Sequence, residues 1–272
     1  MTVRRPERIR VQDRLRLRID AGDGLLPIDA LITRSRSAST LVVSLHGYTD
    51  RATYSLPRFE RLASFSTIDT HSLYISDPTI TVDDRLSIGW YVGTPTDDLP
   101  LRLAELVDVT ASKLRADRIV LTGSSGGGFA ALGIAQHLPH ANAVAFSPQT
   151  AVTRYHAQQV EALQDYVFTP ATRLAAVEEA RPGRLDLSSA FKHPRPGRLW
   201  YVQNAKDGFH VKHHLRPFAG SEPRGVDFFL EDHGPGHTPP SKERTLRWVV
   251  AALRREAPPC APASDIQNTT VR

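Results

Sequence analysis

Residues 119–132 constrain this chain more than any other stretch: Ile119-Val120-Leu121-Thr122-Gly123-Ser124-Ser125-Gly126-Gly127-Gly128-Phe129-Ala130-Ala131-Leu132. An apolar, β-branched run enters Gly-x-Ser-x-Gly and leaves into small, helix-forming residues. A serine on so tight a strand-to-helix turn projects its hydroxyl beyond the sheet edge, and Gly123 and Gly127 leave room for the close packing that the turn demands. The N–H of Gly126, at the helix start, can then face the oxyanion formed when Ser125 attacks a carbonyl. Glycine and serine also cluster in ordinary loops, and a phosphate-cradling loop is the rival. Neither a Gly-Lys-Ser/Thr ending nor the spaced dinucleotide glycines are present. A turn of this kind needs a buried strand before it and a helix after it, which predicts an α/β protein.

The rest of the chain fits that frame. Arg14-Leu15-Arg16-Leu17-Arg18-Ile19 has period two, turns at Ala21-Gly22-Asp23-Gly24, and is followed by a partner over 26–32, a predicted antiparallel hairpin. Short apolar runs over 41–45, 71–76, 118–122, 143–146, 199–202 and 226–230 alternate with helical patterns near 57–66, 97–115, 126–138 and 241–254. Strands apolar on both sides, separated by helices, predict a parallel sheet covered on both faces. The expected fold is thus an α/β sheet of about eight mostly parallel strands with an N-terminal antiparallel hairpin and helices on both faces. One domain is expected over 1–255. Residues 148–197 break the rhythm, with helical patches over 155–166 and 172–179, and are either surface helices or a lid above the strand ends. Residues 256–272, rich in proline and then small polar residues, are expected to form a disordered tail.

Composition narrows the function. With 272 residues, 40% hydrophobic and 23% charged, the chain can bury a full core, and collagen-like or low-complexity classes are excluded. No apolar run approaches the roughly 20 residues of a membrane span, and the basic start lacks the apolar stretch of a secretory signal. The single cysteine, Cys260, suits a reducing compartment, so a cytoplasmic protein is expected. The net charge of +5 is carried almost wholly by arginine. Acidic residues interrupt the basic segments, and no recognition helix or zinc spacing is legible, so no nucleic-acid partner is expected.

A serine nucleophile needs a base and an acid to orient it. Asp207 follows the strand over 199–202, with Asp227 and Asp232 as competitors. His237 lies between the last strand and the last helix, and His233 competes with it. His46, in a glycine-containing loop, reads as part of that loop rather than as a base. Trp90 and Tyr91 are candidates for lining a sugar or acyl pocket, or for simple core packing. His210, His213 and His214 make an imidazole cluster conceivable, but His-Glu-x-x-His and cysteine pairs are absent, so neither a metal nor a cofactor is expected.

From about residue 10 to 255 the chain resembles the serine hydrolases of α/β-hydrolase fold, in which serine, acid and histidine occur in that order. The resemblance implies Ser125 as nucleophile, His237 as general base and Asp207 as its orienter. It also implies that His46-Gly47-Tyr48 is the loop supplying a second oxyanion donor, the N–H of Tyr48, beside that of Gly126. Asp77-Pro78, Ile88-Gly89-Trp90-Tyr91 and Ser147-Pro148-Gln149-Thr150 resemble hydrolase-like proteins of bacterial capsule and surface-glycan biosynthesis. His46, Gly47, Trp90 and Gln149 are the candidate substrate contacts. The expected activity is hydrolysis of an acyl ester through an acyl-enzyme. An O-acyltransferase using the same triad on a glycan, or a non-catalytic binding protein on this fold, are the alternatives. The partner expected is a small acyl or glycan substrate.

Overall fold

The computed structural model describes residues 1–5, 13–20, 22–168, 172–263 and 266. Its main sheet is built from β1 (Thr2–Val3), β2 (Arg14–Ile19), β3 (Ile28–Thr33), β4 (Thr40–Leu45), β5 (His71–Ile75), β8 (Arg118–Ser124), β9 (Asn142–Phe146), β10 (Leu199–Asn204) and β11 (Val226–Glu231). Two-residue strands β6 (Gly93–Thr94) and β7 (Asp97–Asp98) make a separate small hairpin. The order across the sheet is β1-β2-β3-β5-β4-β8-β9-β10-β11. β2, β3 and β5 pair antiparallel in turn, and the run from β5 to β11 is parallel throughout. All eight expected strands form, and the short β1 adds a ninth by pairing parallel with β2.

Alternation decides which side chains meet which layer. Along β2, Leu15, Leu17 and Ile19 are buried while the three arginines between them face outward. In the central strands both sets are buried, because helices cover both faces. Val43, Leu121, Ala145 and Tyr201 join one core with Leu103, Val107, Phe129 and Ile134 from the helices Leu99–Leu114 and Gly126–Ala135. Val42, Val120, Val144 and Trp200 point the other way, onto Trp248 and Val249 of the helix Lys242–Arg254. That last helix starts at Ser241, whose Oγ accepts the N–H of Arg244 at 3.2 Å, a side-chain cap for an orphan amide.

Three expectations need adjustment. The helix predicted over 57–66 shrinks to Leu62–Phe65, because residues 57–61 are pinned to the sheet instead. There the Arg58 N–H donates to Ser76 Oγ, and the Glu60 carbonyl accepts from Ser44 Oγ. Residues 148–197 hold the helices Ala157–Leu163 and Leu174–Ala180, and they bury Leu163, Phe168, Leu174 and Leu187 in the first core. Arg184 ties this segment down by donating to the carbonyls of Val92, Thr94 and Asp97. Of the expected disordered tail, residues 256–263 and 266 are described. Ala263 donates to the Phe228 carbonyl at 2.8 Å and Ile266 is buried, so this part packs against the sheet. The remainder of the tail lies outside the described residues. No helix among the described residues is long and apolar enough to cross a membrane.

Candidate active site

Parallel strands end at one edge, so the loops after β4, β8, β9, β10 and β11 converge there, where open α/β sheets bind ligands. Ser125 follows β8 with φ 58° and ψ −122°, a conformation that costs an L-residue of the order of 1–3 kcal/mol. The surroundings hold it. Its N–H donates to the Phe146 carbonyl at 3.0 Å, and its own carbonyl accepts from Phe129 at 3.0 Å. The turn closes only because Gly123 and Gly127 lie face to face. A Cβ on Gly123 would sit 2.3 Å from the Gly127 carbonyl carbon, and one on Gly127 would sit 2.3 Å from the Leu45 carbonyl oxygen.

The loop after β4 presses on this turn from the other side. A Cβ at Gly47 would meet the Ser124 carbonyl oxygen at 2.8 Å and lie 3.5 Å from the Gly126 nitrogen. His46 serves that loop. The Asp77 N–H donates to its Nε2 at 2.9 Å, and its Nδ1 lies 2.8 Å from the Gly47 carbonyl. Burial holds this imidazole neutral, its pKa lowered to about 4. Both ring nitrogens are thus taken by protein partners, Gly47 in the same loop and Asp77 after β5, so His46 braces the two loops against each other. Asp77 in turn accepts the N–H groups of Thr79, Gly89 and Tyr91. Those bonds hold Trp90 and Tyr91 at φ 51° and 58°, and the Tyr91 hydroxyl accepts from the His46 N–H at 2.9 Å. Burial raises the Asp77 carboxyl to about 6 against the pull of these donors.

Beyond β10, Asp207 caps the short turn that carries His210, its Oδ1 accepting the His210 N–H at 3.1 Å. Its Oδ2 faces two imidazoles. His237 Nδ1 lies 2.5 Å away and His210 Nδ1 2.9 Å away. The two rings stack at 3.9 Å between centroids and 9° between planes. Burial works to raise the Asp207 carboxyl, but the bonds from His210 and His237 outweigh it and hold its pKa well below the carboxylate range. Burial also lowers the pKa of His210, with the Asp207 bond opposing. His237 is the more open of the two, its side chain 38% exposed against 2% for His210. Its loop is pinned by Asn204 at the end of β10. The Asn204 amide donates to the carbonyls of Gly234 and Gly236, while its oxygen accepts from His233 N–H.

The competitors are placed elsewhere. His233 Nε2 pairs with Glu231 at 2.8 Å, Asp232 pairs with Lys206 at 2.8 Å, and Asp227 is exposed on β11. Ser125 Oγ does not hydrogen-bond His237 directly. It accepts from Gln149 Nε2 at 2.8 Å, and the same nitrogen lies 2.7 Å from His210 Nε2. Gln149 and Trp90 are buried and face each other, the indole N–H donating to Gln149 Oε1 at 3.3 Å, so neither offers itself to solvent. Tyr48 is half exposed, its carbonyl taken by Arg58.

Sequence reasoning passed over His210, Asn204 and Asp77 as positioning groups. The spacing Asp-x-x-His at 207 and 210, one helical turn, was the legible sign for the first. Asp207, His210 and His237 bring ligand-type atoms within 4.8 Å of one another.

No protein-family model and no curated protein matches the chain. Among solved structures it is similar to the capsule O-acetyltransferase of Neisseria meningitidis serogroup A, at 14% identity, over 81% of this chain and 86% of that one, with a TM-score of 0.61. It is also similar to acetyl xylan esterase 1 from Thermoanaerobacterium sp. JW/SL YS485, at 15% identity, over 92% and 86% of the two chains, with a TM-score of 0.60. An alpha-beta serine hydrolase homologue from Coxiella burnetii matches at 12% identity over 92% of this chain and all of its own, TM-score 0.52. Strand order, the strained serine turn and these likenesses agree: the chain has the α/β-hydrolase fold.

Proposed function

We propose that the chain is a serine-nucleophile enzyme that removes an acyl group from an ester and passes it to water. The observation that carries this reading is His237 Nδ1 at 2.5 Å from the buried Asp207 carboxylate, on the same sheet edge as Ser125. A proton on Nδ1 leaves the lone pair on Nε2, the tautomer a general base needs. Ser125 Oγ attacks the ester carbonyl as His237 Nε2 takes its proton, and Asp207 stabilises the imidazolium. The N–H groups of Gly126 and Tyr48 hold the oxyanion, Gly126 being the first residue of its helix and thus lacking an intrahelical acceptor. His237 returns the proton to the departing alkoxide, and water then repeats the sequence on the acyl-enzyme.

A second reading replaces water with a sugar hydroxyl, giving an O-acyltransferase. Its support is the likeness to a capsule O-acetyltransferase, which shares 81% of this chain's length with it. Acetyl xylan esterase 1 is equally similar, so a small acyl group on a glycan is the substrate class both readings share. Catalysis in the cytoplasm suits the lone Cys260.

The test is a panel of short acyl esters, assayed with and without sugar acceptors, on wild type and Ser125→Ala. Turnover that vanishes in the variant supports the reading, and acylated sugar as product favours the transferase. Folded wild-type protein that turns over no ester, with or without a sugar, favours a non-catalytic binding protein instead.

A further inference from the structure

The acyl-transfer steps proposed for this site leave Gln149 unused, although among the described residues it is the one side chain hydrogen-bonded to Ser125 Oγ. It enters from the turn after β9, at a fully buried position. The Trp90 indole can only donate, so the Gln149 oxygen faces it and the amide nitrogen faces Ser125 Oγ and His210 Nε2. Both N–H bonds of that amide are thereby committed. His210 Nε2 must then accept, which puts the His210 proton on Nδ1, toward Asp207 Oδ2 at 2.9 Å. The stacked His237 keeps the His210 ring in plane. The chain of bonds runs from His210 Nε2 through the amide and ends on the serine oxygen.

A neutral amide donor cannot take the serine's proton, so it does not serve as a base. What it does depends on how well Oγ accepts. A free hydroxyl oxygen accepts well, an ester oxygen poorly, and a departing oxygen gathering negative charge best of all. Measured from the free enzyme, the transition state therefore gains little from Gln149. Measured from the acyl-enzyme, it gains much more. We propose that Gln149 is a catalytic residue of deacylation, stabilising Ser125 Oγ as the leaving group, with His210 as the positioning residue that aims its amide. The proposal rests on Ser125 being the acylated nucleophile. In the step concerned, the acceptor oxygen bonds to the acyl carbon and its proton passes to His237 Nε2. The acyl carbon–Oγ bond then breaks, its electron pair goes to Oγ, and His237 returns the proton there. Gln149 donates to Oγ throughout and exchanges no proton.

The experiment is stopped-flow hydrolysis of p-nitrophenyl acetate by the full chain, with intact-mass analysis during turnover. Gln149→Met matches the shape and removes the donor. It is expected to show a burst of one nitrophenolate per enzyme, then a steady state slowed about 10- to 100-fold, with acetyl-enzyme accumulating on Ser125. His210→Phe keeps the stack on His237 and removes the acceptor that aims the amide. It is expected to shift the ratio of burst to steady-state rate the same way but less, and it stands as the test should Gln149→Met not fold. Burst and steady-state rates falling together, or no acetyl adduct, would overturn the proposal. Fluorophosphonate labelling separates the two claims. Failure of wild type to label at Ser125 removes the nucleophile itself, whereas normal labelling without accumulation in the variants removes only the role of Gln149.

Discussion

Ser125, Asp207 and His237 differ in what each substitution should reveal. Asp207→Asn leaves the carbonyl oxygen but loses the charge that fixes the His237 tautomer, and turnover should drop by about four orders of magnitude with the fold intact. The same residue carries a pH signature. Its carboxyl titrates lower in the folded chain than in the unfolded one, so its stabilisation is complete above about pH 4, the unfolded value, and fades as acid approaches the folded value. In acid unfolding followed by circular dichroism, wild type should lose stability below that pH faster than Asp207→Asn; parallel curves would contradict this. Asp77→Asn is the structural counterpart. It sets an amide N–H₂ or a single oxygen against three backbone donors, and should lower stability by about 1–3 kcal/mol in chemical denaturation. At this scale Ser125 was legible because its glycine neighbours announce a strained turn. Gln149 was legible only as a candidate substrate contact, and the Gly89 bond to Asp77 and the Gln149–His210 contact were not, since those partners lie 12 and 61 residues apart in sequence and meet only when the strand ends are brought together.

The turns joining strands to helices are where packing is least forgiving. Gly127→Ala would drive a Cβ to within 2.3 Å of backbone that cannot swing aside. We expect that variant to be destabilised by several kcal/mol or to fail to fold, as judged by soluble yield and thermal melting. Asn204 tests the opposite case, a loop held by side-chain bonds. Asn204→Ala should keep the sheet but free the loop 233–237, so turnover should fall about 10- to 100-fold while the melting temperature moves little. Strands were the most readable elements, since β2 alternates strictly and the parallel strands are apolar on both sides. The helix near 57–66 was misread because the backbone N–H of Arg58 and the carbonyl of Glu60 bond the side chains of Ser76 and Ser44 instead of helical partners. That exchange of helix for loop is a tertiary effect, which periodicity does not carry.

For the whole molecule, one sheet does the assembling. Residues spread from 46 to 237 reach a common edge because the strands before them run the same way. That convergence follows from the βαβ rhythm, so the fold class was legible from sequence, as was the placing of residues 125, 207 and 237 after strands that end at one edge. The substrate was not, because the proposed hydrolase and transferase use the same edge and differ only in the acceptor. Near this edge, Tyr155 packs edge-on to Trp90 and Phe209. The most direct measurement of the central claim is fluorophosphonate labelling of the full chain with peptide mapping. The account predicts a single adduct on Ser125, absent in Ser125→Ala and strongly slowed in His237→Ala. An adduct on another residue, or equal labelling in the Ser125→Ala variant, would contradict it.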